Sequence, residues 1–125
     1  MSLHRYFVVL AAAIFLQACS MTIGNENLMI KQDSFENNYS KIKEIVVEEA
    51  ANNGFGTLTS EVKPSQYNNW EGQLFFQLKT AGGTDQLWAE FSRGDGGIAV
   101  WVHGAGIRAN ADSASKAIAA RLSQL

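Results

Sequence analysis

The sequence predicts an α+β domain: a four-stranded antiparallel meander sheet with two helices on one face, in the order α-β-β-β-β-α. Apolar residues recur every three or four positions over residues 34–53 and again over 113–123, which is typical of amphipathic helices. Between these segments apolar and polar residues alternate with a period of two, as in half-buried strands. Two glycine-containing turn signals divide the alternating region and predict hairpins.

The first helix has recognisable start and stop signals. Asp33 is placed as its N-cap, and Glu36 three residues later completes a capping box. Gly54 supplies a left-handed stop, and Phe55 follows at the position of the hydrophobic contact that accompanies such caps. The apolar stripe that should face the core consists of Phe35, Tyr39, Ile42, Val46 and Ala50.

Four strands and a closing helix are expected after this helix. Turns at Gly82-Gly83 and Asp95-Gly96 would set Leu78 opposite Leu87 and Phe91 opposite Val100, so that one apolar face packs under both helices. That face carries Leu74, Phe76, Phe91 and Val100. The strands are expected at 57–63, 71–80, 85–93 and 97–103, and the second helix, capped by Asp112, at 113–123.

The opposite sheet face, which no helix should cover, is the candidate binding face. The same registers set Trp88 opposite His103 and Glu90 opposite Trp101. Aromatic cross-strand pairs reinforce sheets, whereas exposed apolar patches also mark ligand or partner surfaces. The sequence leaves both explanations open. A third possibility is that the tether or a partner chain covers this patch. The candidate face comprises Phe75, Gln77, Trp88, Glu90, Trp101 and His103.

Catalytic and metal chemistry find little support in the residue pattern. His103 beside Glu90 suggests a hydrolase, but no motif places a nucleophile near them, so no catalytic residue is assigned. Gly104-Ala105-Gly106 fits part of a dinucleotide fingerprint, yet the chain lacks the following parallel strand, and these glycines are better explained by close packing under the last helix.

Composition excludes several classes of function. The 125 residues suffice for one compact domain, and the 10 lysines and arginines are scattered against 12 acidic residues, which argues against nucleic-acid binding. The single cysteine excludes an internal disulfide. With two histidines, one of them in the leader, the ligand count is too low for a structural zinc site, and no cofactor is indicated.

The first nineteen residues have the pattern of an export signal. A basic residue, Arg5, precedes a ten-residue apolar run at 7–16, which is too short to span a bilayer comfortably. The Leu-Gln-Ala-Cys segment at 16–19 resembles the lipobox of bacterial lipoproteins. That resemblance implies removal of residues 1–18 as a signal peptide, a covalent lipid on Cys19, and, with Ser20 following, delivery to the outer membrane facing the periplasm. The alternative is an ordinary signal with an unmodified Cys19.

Residues 19–32 are then a lipidated cysteine and a polar tether, and residues 33–125 are the single domain. Met29 and Ile30 could instead lie along the sheet edge and shorten the tether. The element layout is weakly similar to a helix-grip repeat of the NlpB/DapX-type lipoprotein, an accessory of outer-membrane barrel assembly, and no functional residue follows from it.

The leading hypothesis is a non-enzymatic, lipid-anchored module of the cell envelope. It would attach to the membrane through the lipid and bind a protein or envelope component through the open sheet face. The alternatives are a small envelope hydrolase using His103 and Glu90, and an anchored inhibitor or immunity-type protein.

Overall fold

The computed structural model describes residues 22–107 and 110–125, so the predicted signal peptide and Cys19 lie outside the described residues. Five antiparallel strands form one sheet in the order β1-β5-β4-β3-β2, and two helices pack on one face. The α+β class is therefore confirmed, while the expected strand number was one too low. The elements are β1 (Thr22–Ile30), α1 (Gln32–Asn52), β2 (Ser60–Val62), a 3-10 helix (Gln66–Asn68), β3 (Gly72–Thr80), β4 (Gly83–Gly94), β5 (Gly97–Gly106) and α2 (Asn110–Leu122).

The additional strand is β1, in the segment that the sequence predicted to be a tether. It pairs with β5 along its whole length, from Thr22 opposite Gly106 to Ile30 opposite Ile98. Apolar and polar residues do not alternate along this strand, because its core-facing positions include Gly24 and Glu26, while outward positions carry apolar residues such as Met29. A two-residue hydrophobic period is therefore absent, although the segment is a regular edge strand.

Helix α1 begins at Gln32, directly after β1 and ahead of the predicted cap at Asp33. The N-cap position is Lys31, which makes no side-chain capping bond, and Asp33 Oδ1 accepts from the neighbouring Ser34 N–H at 3.0 Å. Glu36 accepts from the Gln32 side chain at 3.0 Å instead of closing a capping box. The predicted cap was wrong because β1 holds Ile30 in the sheet and hence sets where the helix can start.

The end of α1 confirms the stop signal in the sequence. Gly54 has a φ of 84°, its N–H donates to Ala51 at 3.0 Å, and the Phe55 N–H reaches back to Ala50 at 2.9 Å. This is a Schellman arrangement, in which a left-handed glycine lets the chain turn under the helix. The Phe55 side chain is buried in the core as a result.

The two hairpins differ in how well the sequence predicted their registers. Phe91 lies opposite Val100 as expected, whereas Leu78 lies opposite Asp85, two positions away from the predicted Leu87. The turn occupies Ala81-Gly82, and Gly83, with φ of 144°, already pairs with Thr80. Because the shift is an even number of residues, each β3 side chain keeps its predicted face and only its cross-strand partner changes.

Strand β2 is shorter than the predicted 57–63. Only residues 60–62 pair regularly with β3, since the Gln77 N–H donates to the Thr59 hydroxyl oxygen at 3.0 Å and not to a backbone carbonyl. The Thr59 N–H still donates to the Phe75 carbonyl oxygen at 2.8 Å, but its side chain replaces the next backbone acceptor, and Leu58 packs against the core. Strand β2 forms the second, shorter edge of the sheet.

Helix α2 begins at Asn110, three residues before the predicted start, and closes the core over β1 and β5. Asp112, which was predicted to cap the helix, lies within its first turn and forms an ion pair with Lys116 at 3.0 Å. Arg121 near its end binds Glu49 of α1 at 3.0 Å and links the two helices. The predicted helix-covered face is confirmed: Leu74, Phe76, Phe91 and Val100 are all buried.

Candidate functional site

The open face of the sheet is the side opposite the two helices, and all six candidate side chains project from it. Strands β3, β4 and β5 contribute two each, and β1 extends this face at its edge and does not fold across it. Trp101 is the most accessible of the six, with 44% of its surface exposed. The other five are half-buried: Phe75, Gln77, Trp88, Glu90 and His103.

Four aromatic rings stack in a continuous row across the open face, hereafter the aromatic row (Phe75, Trp88, His103 and Trp101). Ring centroids are 5.0 Å apart between Phe75 and Trp88 and 5.0 Å between Trp88 and His103. His103 and Trp101 are closest, at 3.7 Å with planes 14° apart. The His103 ring is therefore sandwiched between two indoles, and each ring limits the rotamers of the next.

The β3–β4 register that sequence reasoning missed is what completes this row. Phe75 lies directly opposite Trp88, which in turn lies opposite His103, so three neighbouring strands align their rings. The predicted register would have placed Gln77 opposite Trp88 and interrupted the row. Gln77 instead pairs with Gln86 and lies beside the aromatic row.

Two polar side chains fix the row from its sides. Glu90 is hydrogen-bonded to His103 Nε2, and Trp101 Nε1–H donates to Asn25 Oδ1 at 2.6 Å. Asn25 belongs to β1 and was missed because no strand was predicted in that segment. The spacing of the chain could have indicated it: Asn25 lies two residues from Asn27 and four from Met29, which would place all three on one face of a strand.

A groove of about 950 Å³ crosses the open face beside Trp101, toward the end of the sheet that holds the β4–β5 turn. Ser92 and Ala99 lie opposite each other there, and their small side chains leave the space empty. Met29 and Val62 are exposed apolar side chains on opposite sides of the groove. Polar groups facing it come from Asn27, Asn68, Glu71, Gln73, Ser92 and Glu90.

Trp101 is the only member of the aromatic row that lines this groove. His103 covers one face of its ring, while Ala99 lies two residues away on the other side along β5. The indole ring therefore forms one side of the groove: one of its faces packs on His103, and the other faces the groove. Aromatic rings with a few polar groups around a concavity are the usual composition of binding sites.

Among the described residues of this face, Glu90 and His103 are the one hydrogen-bonded titratable pair that resembles catalytic machinery. Within residues 22–107 and 110–125, no serine, threonine or cysteine side chain hydrogen-bonds to His103. Over the same residues no three histidine, cysteine, aspartate or glutamate side chains group together as a metal site. None of the described helices is long and apolar enough to cross a membrane.

The acidic and phenolic side chains with shifted pKa values, Glu61 and Tyr39, lie on the helix side of the sheet. A hydrogen bond from Lys43, at 2.8 Å, lowers the pKa of Glu61. Burial raises the pKa of Tyr39, whose hydroxyl donates to the same carboxylate at 2.9 Å. These three side chains join α1 to β2 and are structural contacts away from the groove.

Comparison with known proteins identifies no relative. No protein family, curated protein or solved structure matches the chain.

Proposed function

We propose that the protein is a non-enzymatic, lipid-anchored module of the bacterial cell envelope that binds a protein or other envelope component through its open sheet face. The observation that carries this proposal is the placement of Trp101, which is 44% exposed at the wall of a groove of about 950 Å³. Exposed aromatic side chains beside a concavity commonly dominate the binding energy of interfaces.

The fixed conformation of the Trp101 side chain favours binding. Its ring is stacked on His103, and its Nε1–H is held by Asn25, so the side chain has little rotamer freedom left to lose when a partner docks. Fixing a contact residue in advance reduces the entropic cost of association. The exposed Met29 and Val62 extend the apolar contact area on both sides of the groove.

The anchoring part of the proposal rests on the lipobox-like segment at 16–19. A lipid on Cys19 would keep the module at the membrane surface, and Ser20 after the cysteine favours the outer membrane facing the periplasm. The membrane is then one partner, through the lipid, and the occupant of the groove is the other.

Photocrosslinking in cells tests the binding face. A photoreactive amino acid replaces Ser92 in the groove of the full chain, and in a matched strain it replaces Glu44 on the exposed side of α1. We expect a discrete crosslinked species from position 92 and not from position 44. Adding Trp101→Ala should remove that species at unchanged protein level. Equal crosslinking from both positions, or a species indifferent to Trp101→Ala, would reject the proposal.

The hydrogen bond between His103 and Glu90 favours one second candidate, an envelope hydrolase that uses these two side chains. That candidate requires His103→Gln to abolish a cellular phenotype that Trp101→Ala leaves intact. An anchored inhibitor or immunity-type protein would use the same open face, and the crosslinked species would then contain a toxin or lytic enzyme.

A further inference from the structure

The start of β1 fixes where a lipid on Cys19 would enter the bilayer. Only Ser20 and Met21 separate Cys19 from Thr22, the first residue of the strand. Three peptide units span at most about 11 Å, so the two Cα atoms cannot lie farther apart than that. Thr22 pairs with Gly106, and the lipid must therefore leave the domain beside the sheet end at Thr22 and Gly106, hereafter the anchored end.

The anchored end presents apolar side chains to its surroundings. Ile23 is 69% exposed and Ile107 46% exposed, although both lie within or next to regular strands. Ile107 lies near the β3–β4 turn, since a Cβ added to Gly82 would be 3.4 Å from its Cδ1. The turn itself consists of Ala81 and Gly82, which are small enough to let this end approach a flat surface.

The charged groups near the anchored end suit an interfacial position. Lys79 is exposed near the end of β3, where a cation can reach lipid phosphates. Asp85 is 1% exposed and accepts a hydrogen bond from the Ile107 N–H, so its carboxylate does not face outward. Asp112, in the first turn of α2, is paired with Lys116.

From this arrangement we infer that the domain docks directly on the lipid bilayer through its anchored end, with Ile23 and Ile107 in the interface and the groove held away from it. The inference rests on the proposed acylation of Cys19. Met29, which lines the groove, is seven residues along β1 from Thr22, or roughly 23 Å at 3.3 Å per residue. The structure thus assigns a bilayer-facing end and a partner-facing end to one sheet.

Fluorescence quenching on vesicles tests this orientation. Full-length acylated protein is reconstituted in vesicles of phosphatidylethanolamine and phosphatidylglycerol that include a headgroup-nitroxide lipid. Ile23→Cys and Ser92→Cys each carry a thiol-linked fluorophore, because the acylated Cys19 thiol cannot react. We expect the label at position 23 to be quenched at least threefold more strongly than the label at position 92. Adding Ile107→Ser should reduce the quenching at position 23.

Two independent readings separate this inference from the proposed function. Intact mass and co-flotation with the vesicles report acylation, and an unacylated protein would overturn both the anchor and the orientation. Acylated protein with equal quenching at positions 23 and 92 would overturn the orientation alone. Correct quenching together with absent crosslinking from position 92 in cells would overturn the binding function and leave the orientation standing.

Discussion

Gly24 on β1 and Gly104 on β5 lie directly opposite each other beneath helix α2. A Cβ on Gly24 would overlap the Ser115 hydroxyl and the Ala111 carbonyl oxygen, and one on Gly104 would lie 3.4 Å from the Ala111 Cβ. The glycine pair therefore allows the small residues of α2 to approach the sheet backbone. The tightest contact of a Cβ on Gly104 would be with the Gln86 carbonyl oxygen of β4, so this glycine is required mainly by the sheet backbone. The expectation that the chain leaves the sheet at Gly104-Ala105-Gly106 was wrong, because β5 continues to Gly106.

Gly24→Ala should destabilise the domain by about 1 to 3 kcal/mol, because the added methyl group must displace the backbone of α2. Urea unfolding followed by circular dichroism measures the loss. Gly82→Ala is the matched control, since its Cβ would meet only Ile107 Cδ1 at 3.4 Å. A loss no larger than that of the control would contradict the close approach of α2 to β1.

The aromatic row predicts unequal effects for its two tryptophans. Trp88 contacts a ring on each side, Phe75 and His103, whereas Trp101 stacks on His103 alone and borders the groove. At about 0.5 to 1.5 kcal/mol for each aromatic pair, the two ring contacts of Trp88 should contribute about 1 to 3 kcal/mol in addition to its burial, so Trp88→Ala should cost distinctly more than Trp101→Ala. Chemical denaturation of both variants checks the order, and an equal or reversed order would mean that the row does not stabilise the sheet.

Asp85 is a buried acceptor whose removal should be costly. Asp85→Ala leaves the Ile107 N–H without its 2.9 Å bond and should cost about 1 to 3 kcal/mol, while Asp85→Asn retains an acceptor oxygen and should cost less. Unfolding midpoints give the ranking, and amide exchange at Ile107 should accelerate in the alanine variant. Equal unfolding midpoints and equal amide exchange at Ile107 in the two variants would show that this hydrogen bond does not contribute to stability.

Acid should weaken the link between α1 and β2. The Lys43 hydrogen bond lowers the pKa of folded Glu61, so this carboxylate stabilises the fold above the pKa of an unfolded glutamate and loses that effect as pH falls below it. The stability difference between wild type and Glu61→Gln should be about 0.2 to 1 kcal/mol at pH 7 and shrink toward zero near pH 3.

Unfolding titrations at pH 3, 5 and 7 supply the comparison. Glu44→Gln removes an equal charge from the exposed side of α1 and is the control. The assignment fails if Glu61→Gln and Glu44→Gln lose stability equally at pH 7, or if the difference grows as the solution is acidified.

Local patterns were sufficient to locate the helices, apart from their first residues, and to assign the faces of the central strands. All six candidate residues share one face as predicted, because alternation depends only on neighbours along the chain. The β3–β4 register could not be chosen, since turns at 81–82 and at 82–83 both contain glycine. The resulting two-residue shift leaves every side chain on the same face.

The groove depends on contacts between distant segments and was not predictable. It needs Met29 from β1, which was expected in a tether, and Val62 from an edge strand that pairs over only three residues. The core-facing Gly24 looks unsuited to a strand until α2 is seen to pack on it. Residues required by a tertiary contact need not follow the two-residue hydrophobic period of a strand, and β1 was therefore not predicted from the sequence.

The pairing of β1 with β5 joins the beginning of the described chain to a segment close to its end. The Trp101–Asn25 hydrogen bond alone connects residues 76 positions apart. Long loops close slowly because their ordering entropy is lost before the contacts form. During synthesis from the amino terminus, β1 therefore emerges long before its partner, and the sheet can be completed only after residues 97–106 have followed.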